Sequence, residues 1–228
     1  MPSFSSSAWS SVGKKIIMSL AGLVMILFLI EHLSGNLLLL SEDPTPFNEY
    51  SHFLTRFGWI LIVTELFLLA LFLLHVIAGI TIYLRKLKAR PEHYKKAASA
   101  GPPSRKNFSS TTMIYTGLLI FIFVAIHLKT FKYGPHYTTQ VNGVVMRDLY
   151  RLVVEVFSKP GYVIWYVFVM VFLGFHLRHG FWSAFQSLGV NHPRYTPIIY
   201  AVGIIVAIVL AVGFLGIPIW VYLREVIL

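Results

Sequence analysis

Four histidines stand in four consecutive apolar stretches of the chain: His32, His75, His127 and His176. Imidazole ligates metals, carries protons and bonds neighbouring helices, and an ionisable residue at membrane depth is a functional hypothesis by default. For one such histidine, a helix–helix hydrogen bond explains as much as any function does. One in each of four consecutive segments asks for a chemistry they share. The last segment, "GFHLRHGFWSAF" from Gly174 to Phe185, sets Arg178 and His179 beside His176 among Phe, Leu and Trp.

The elements that must position these rings follow from composition. The chain has 228 residues, of which 57% are hydrophobic and 12% charged, and its mean hydropathy is +0.72. A soluble domain carries roughly twice that share of charge. Five apolar stretches, approximately 16–40, 59–84, 109–131, 161–187 and 197–223, reach the ~20 residues that a helix needs to cross a bilayer. Lipid offers no partner to free backbone groups, so all five are expected to be helical. Residues 1–228 read as a single all-α integral membrane domain with no internal repeat. Trp59, Trp182 and Trp220 fall near stretch ends, as interfacial aromatics do. The first stretch is too long for a signal peptide and follows no clear cleavage site, so it reads as a retained span. With no cysteine, the chain supplies neither disulfides nor iron–sulfur ligands.

The net charge of +10 reads as topology, with no nucleic acid implied. Lys14 and Lys15 precede the first stretch, loop 85–106 carries eight Lys/Arg against one Glu, and Arg194 separates the last two stretches. These segments share a side, which the positive-inside rule makes cytoplasmic. The expectation is a multi-pass protein of the cell inner (cytoplasmic) membrane, with its N-terminus cytoplasmic and its C-terminus outside. The acidic loop "SEDPTPFNEYSHF" and loop 132–160 lie outside. In "MRDLYRLVVEVF", Arg147, Arg151 and Glu155 recur at i, i+4 and i+8, opposite Leu149, Leu152, Val153 and Val156. That pattern predicts a short helix on the membrane surface.

Depth sorts the histidines into two layers. His75 lies ten residues before Arg85, and His176 a similar distance before the cytoplasmic end of its stretch. His32 is 17 residues beyond Lys15, and His127 is 18 beyond Ser109, so both sit toward the outside. At about 1.5 Å of rise per residue the layers are roughly 10–15 Å apart. Two imidazoles at one depth can clamp an iron porphyrin from both faces. Such a haem has no open position and carries electrons rather than activating ligands. The interior of a four-helix bundle is the place for it. Gly79 and Gly180, one turn past His75 and His176, leave space for a porphyrin edge, although close helix packing explains a helical glycine equally well. A zinc site would need all four rings near one point, which the layering opposes.

The segments "LIEHLSGN", "LFLLHVIAGITIY", "FVAIHLK" and "FHLRHGFWS" together resemble the single-chain dihaem cytochrome b membrane anchor of succinate:quinone oxidoreductases, the succinate dehydrogenases and fumarate reductases with a five-helix anchor. The resemblance covers nearly the whole chain. It implies five spans, four of them enclosing two stacked haem b groups. His75 and His176 would ligate the proximal haem iron, and His32 and His127 the distal one. It also implies a flavoprotein subunit with FAD and an iron–sulfur subunit on the cytoplasmic face, and a membrane quinone (menaquinone or ubiquinone) as electron partner. This chain would hold no dicarboxylate site. A higher oligomer of the complex is compatible with exposed apolar faces. The readings from other classes are a dihaem cytochrome b serving a hydrogenase or formate dehydrogenase, and a haem-free membrane protein using the histidines as a proton relay.

Further residues are candidates around that frame. Ser19, His179, Arg178 and Arg147 are possible propionate contacts, with Arg151 an alternative to Arg147. The plainer readings are a helix back-bond for Ser19, a local hydrogen bond for His179, snorkelling for Arg178 and a solvated face for Arg147. Glu31 and Glu65 are intramembrane acids that could relay protons or line a quinone cavity, or sit protonated in a hydrogen bond. Glu49 and His52, in the first outer loop, are alternative quinol-side groups.

Overall fold

The computed structural model describes residues 10–89 and 108–228, so most of the basic loop 85–106 lies outside the described residues. Helix α1 spans Ser11–Asn36 and tightens into a 3₁₀ turn over Leu37–Leu40. Ser10 caps it, its Oγ accepting from the Gly13 amide at 3.0 Å. Helices α2 (Thr45–Thr55) and α3 (Trp59–Lys88) follow, then the short α4 (Phe108–Thr111) and α5 (Met113–His127), which widens into a π turn over Leu128–Lys132. A hairpin of β1 (Thr138–Val141) and β2 (Val144–Arg147) leads into α6 (Leu149–Phe157), α7 (Pro160–Ser187) and α8 (Thr196–Tyr222). A last π turn covers Leu223–Ile227.

Five helices, α1, α3, α5, α7 and α8 with their terminal turns, are long and apolar enough to cross a membrane. The chain is a helical, multi-pass membrane protein. Helix α1 packs on α3, α3 on α5, α5 on α7 and α7 on α1, which closes a ring of four. Helix α8 lies outside the ring against α7 and α1. Close approach there depends on glycine: a Cβ on Gly203 would meet the Phe181 ring at 2.8 Å, and one on Gly213 would meet Leu33 at 2.6 Å. The packed apolar core, including Leu33, Val169, Met170, Leu173 and Leu210, runs between α1, α7 and α8. Helix α3 buries only Ala78, and leaves Ile60, Ile62, Val63, Leu66 and Phe67 exposed.

Several boundaries differ from expectation. Helix α1 begins at Ser11, so Lys14 and Lys15 belong to it rather than preceding it, and Lys14 is fully buried. Trp182 is no interfacial aromatic. It is buried, edge-on to His179 and Tyr200 at ring-centroid distances of 6.2 Å each. The acidic loop between the first two spans contains α2. Arg147 ends a strand instead of opening the surface helix, which starts at Leu149 with Asp148 as its cap (Arg151 amide to Asp148 Oδ1, 3.1 Å). The helix itself has the expected apolar face, with Leu152, Val153, Val156 and Phe157 buried. The hairpin turns on Asn142 and Gly143, whose φ values of 50° and 79° suit the two-residue turn that matches strand twist.

Candidate bis-histidine sites

The ring of four sets its histidines in two crosswise pairs. His75 on α3 faces His176 on α7 with ring centroids 6.3 Å apart. His32 on α1 faces His127 on α5 with centroids 5.8 Å apart. Each pair joins opposite members of the ring. The pairing is the one that residue depth predicts.

The layers separate as expected. Tyr166, which touches His127, and His176 lie ten residues apart on α7. Gly117, beside His176, and His127 lie ten apart on α5. Gly22, beside His75, and His32 lie ten apart on α1. Ten helical residues rise about 15 Å. Three helices therefore give the same spacing.

Each imidazole is held at Nδ1. His75 Nδ1 lies 2.9 Å from the Met18 carbonyl oxygen. A carbonyl only accepts, so in the neutral ring Nδ1 carries the proton and Nε2 keeps its lone pair. His176 Nδ1 lies 3.1 Å from Thr116 Oγ1, whose own proton goes to the Met113 carbonyl at 3.1 Å. His127 Nδ1 lies 3.2 Å from the Tyr166 hydroxyl. His32 differs: Asn36 Nδ2, 3.5 Å from its Nδ1, can only donate, so in this contact Nδ1 is the acceptor, and the Phe28 ring stacks on it at 5.3 Å. Among the described residues no hydrogen bond uses the Nε2 atom of any of the four. Anchoring one ring nitrogen and leaving the other available is how proteins orient histidine ligands.

The residues present fit an iron porphyrin. Bonds from metal to imidazole nitrogen are about 2.0–2.1 Å, so one metal clamped from opposite sides holds the two ring centroids roughly 6.3 Å apart. The His75–His176 separation of 6.3 Å equals that span, and the His32–His127 separation of 5.8 Å is about 0.5 Å shorter. Gly180 has open space where a Cβ would stand, and the nearest atom to one on Gly79 is Met18 Sδ at 3.9 Å. Buried donors without a partner among the described residues flank both layers. Ser109 Oγ and His179 Nδ1 lie toward the end that carries Lys14, and Arg147 Nε and Trp165 Nε1 toward the hairpin end. Such atoms suit the carboxylates of a bound cofactor.

The remaining candidates are placed as follows. Ser19 is buried, 4% exposed, next to the Met18 carbonyl that receives His75. His179 meets Trp182 edge-on, and the expected local hydrogen bond is missing at its Nδ1. Arg178 turns toward α8 and donates to the Tyr200 hydroxyl at 3.2 Å. Arg147 is no solvated residue: it donates to the carbonyls of Phe131 (2.8 Å) and Pro135 (3.3 Å), and burial pulls its pKa below the usual guanidinium value. Phe131 in turn packs on His127 at 5.4 Å, so Arg147 belongs to the surroundings of the His32–His127 pair. Arg151 lies over the Tyr137 ring at 4.3 Å, away from that pair.

Glu31 accepts a hydrogen bond from Tyr50 of α2, and Glu65 pairs with Lys132 at the end of the π turn that follows α5. Glu49 and His52 line a cleft of ≈ 490 Å³ between α2 and the hairpin, together with Phe53, Arg56, Asn142 and Met146. Thr116, Tyr166, Trp165 and Ser109 were not legible as site residues. Their types are ordinary in apolar helices; only the packing of α5 on α7 brings Thr116 to His176 and Tyr166 to His127, and only burial singles out Ser109 and Trp165. No known protein family, curated protein or solved structure matches the chain.

Proposed function

We propose that this chain is the membrane anchor cytochrome b of a succinate:quinone oxidoreductase, holding two haem b groups. The observation that carries the reading is the pair of crosswise histidine couples, in which Nδ1 of His75, His176 and His127 lies at hydrogen-bond distance from an oxygen. His75 and His176 would hold the haem nearer the partner subunits, and His32 and His127 the haem nearer the outside. When bound, the haems supply one-electron relays between the iron–sulfur subunit and the membrane quinone.

The protein's own part is to bind, orient and insulate. Saturating each iron from two sides excludes oxygen and substrate. Ser19, Ser109 and His179 at one end, and Arg147 and Trp165 at the other, are the donors for propionates. The cleft with Glu49 and His52 at the hairpin end, together with the nearby Glu31–Tyr50 bond, forms the quinol-side candidate region. Loop 85–106, on the cytoplasmic side, would meet the flavoprotein and iron–sulfur subunits. Lys and Arg in such a loop equally suit anionic lipid headgroups.

The test is reduction by substrate. The complex is purified through this chain, and succinate is added under anaerobic conditions. The reading predicts a covalently bound flavin in a co-purifying subunit and growth of a reduced haem α-band. Co-purification of nickel or molybdenum with a succinate-insensitive spectrum would assign the chain to a different dehydrogenase.

A further inference from the structure

We propose that Thr116 and Tyr166 are positioning residues that tune the two haem irons separately, Thr116 through His176 and Tyr166 through His127. The inference rests on the dihaem reading above. It adds the two side chains that set the basicity of one ligand in each layer.

Thr116 is committed by its geometry. Its hydroxyl donates to the Met113 carbonyl at 3.1 Å, so toward His176 Nδ1, also at 3.1 Å, it can only accept. A hydroxyl has one proton and two lone pairs, and this arrangement uses the proton and one pair. The bond to Met113 is the common helical back-bond and explains nothing beyond its own turn. The bond to His176 crosses from α5 to α7. Gly117 lies beside the same ring: a Cβ there would stand in ordinary contact with His176 Cε1, at 3.5 Å. Thr116 is itself buried, 2% exposed.

Tyr166 plays the matching part in the other layer. It is 5% exposed, and His127 is the hydrogen-bond partner of its hydroxyl, at 3.2 Å. Rings of Phe123 (4.9 Å), Phe157 (5.0 Å) and Phe131 (6.1 Å) pack its ring edge-on and hold the phenol in place. With His127 bound to iron through Nε2, Nδ1 carries the proton and the phenol oxygen accepts it.

An acceptor on Nδ1–H raises the electron donation of the imidazole to its metal. That favours the ferric over the ferrous state and lowers the one-electron midpoint potential. The other ligand in the Thr116 layer, His75, has a main-chain acceptor, the Met18 carbonyl. Thr116 is therefore the side-chain acceptor in that layer; in the other, the side chain at His32 Nδ1 is the donor Asn36 Nδ2 at 3.5 Å, which leaves Tyr166 as the side-chain acceptor there.

The experiment uses the intact complex carrying Thr116→Val, Tyr166→Phe or Thr116→Ser. Haem per chain is counted, and the α-band is titrated potentiometrically. The expected result is two haems per chain in every variant. Thr116→Val raises the midpoint of one component only, Tyr166→Phe raises that of the other only, and Thr116→Ser returns to the unaltered value. Two retained haems with both midpoints unmoved overturn the inference and leave the dihaem reading standing. So does a shift of the same component by both variants, or loss of a haem on the near-isosteric Tyr166→Phe. Absence of haem from the unaltered complex overturns the dihaem reading itself, and this inference with it.

Discussion

The Nδ1 atom of His75 on α3 lies 2.9 Å from the carbonyl oxygen of Met18 on α1. One turn on, at Gly22, a Cβ would stand 3.3 Å from His75 Cε1. The two facts are connected. A ring can reach a main-chain carbonyl on a neighbouring helix only where that helix offers no side chain to push it away. Gly22 thus acts on His75 through space, and α1 sets the tautomer of an imidazole on α3.

Gly22→Val is expected to displace the His75 ring and empty that layer, halving the haem per chain. Gly161→Ala is the control: an added Cβ there meets nothing within 4 Å, and Ala suits a helix better than Gly. Haem counting on both variants checks this. Full haem retention in Gly22→Val would show that His75 does not depend on that gap.

Replacing His176 with Leu is expected to remove one haem of two, and His179→Ala none. His179 faces Trp182 edge-on at 6.2 Å, whereas His176 faces His75. Haem loss on changing His179, with retention on changing His176, would reverse the assignment.

The histidine layers were legible because helical rise converts sequence spacing into depth, and lipid leaves few conformations to choose from. Pair identity followed from that alone. What holds each ring was not legible, since Met18 contributes a carbonyl that every residue owns, and Thr116 reaches His176 only through the docking of α5 on α7. The hairpin was there to be read. "VNGV" between β-branched residues is a strong two-residue turn signal, and attention to the amphipathic run after it hid the strand that ends at Arg147. The acidic loop hid α2 for a different reason. Its stability comes from a buried Asn48 that bonds a segment one hundred residues away.

Asn48→Ala is expected to loosen that hairpin end. Asn48 is 1% exposed, donates to Asp148 Oδ1 at 2.9 Å and accepts from the Tyr150 amide at 3.0 Å. Removing it strands buried partners, at a cost of about 1–3 kcal/mol. Thermal unfolding in detergent should show a lower midpoint, with haem content unchanged before the transition.

The phenol of Tyr50 is pushed up to about 12, first by burial and then by its bond to the Glu31 carboxylate. A raised pKa means that the folded state binds the proton more tightly, so this contribution to stability is complete below pH 10. It is lost as the pH climbs from 10 toward 12. The tyrosinate absorbance difference between the unaltered protein and Tyr50→Phe should appear near the upper end of that window. Glu31→Gln should move it down. An unshifted Tyr50 titration near 10 would mean that the bond to Glu31 does not form.

The most direct measurement is a pyridine haemochrome assay on the purified complex, with haem counted per copy of this chain. The account predicts two haems b per chain. An intact complex without haem would contradict it and would recast the four histidines as a proton-carrying or purely structural set.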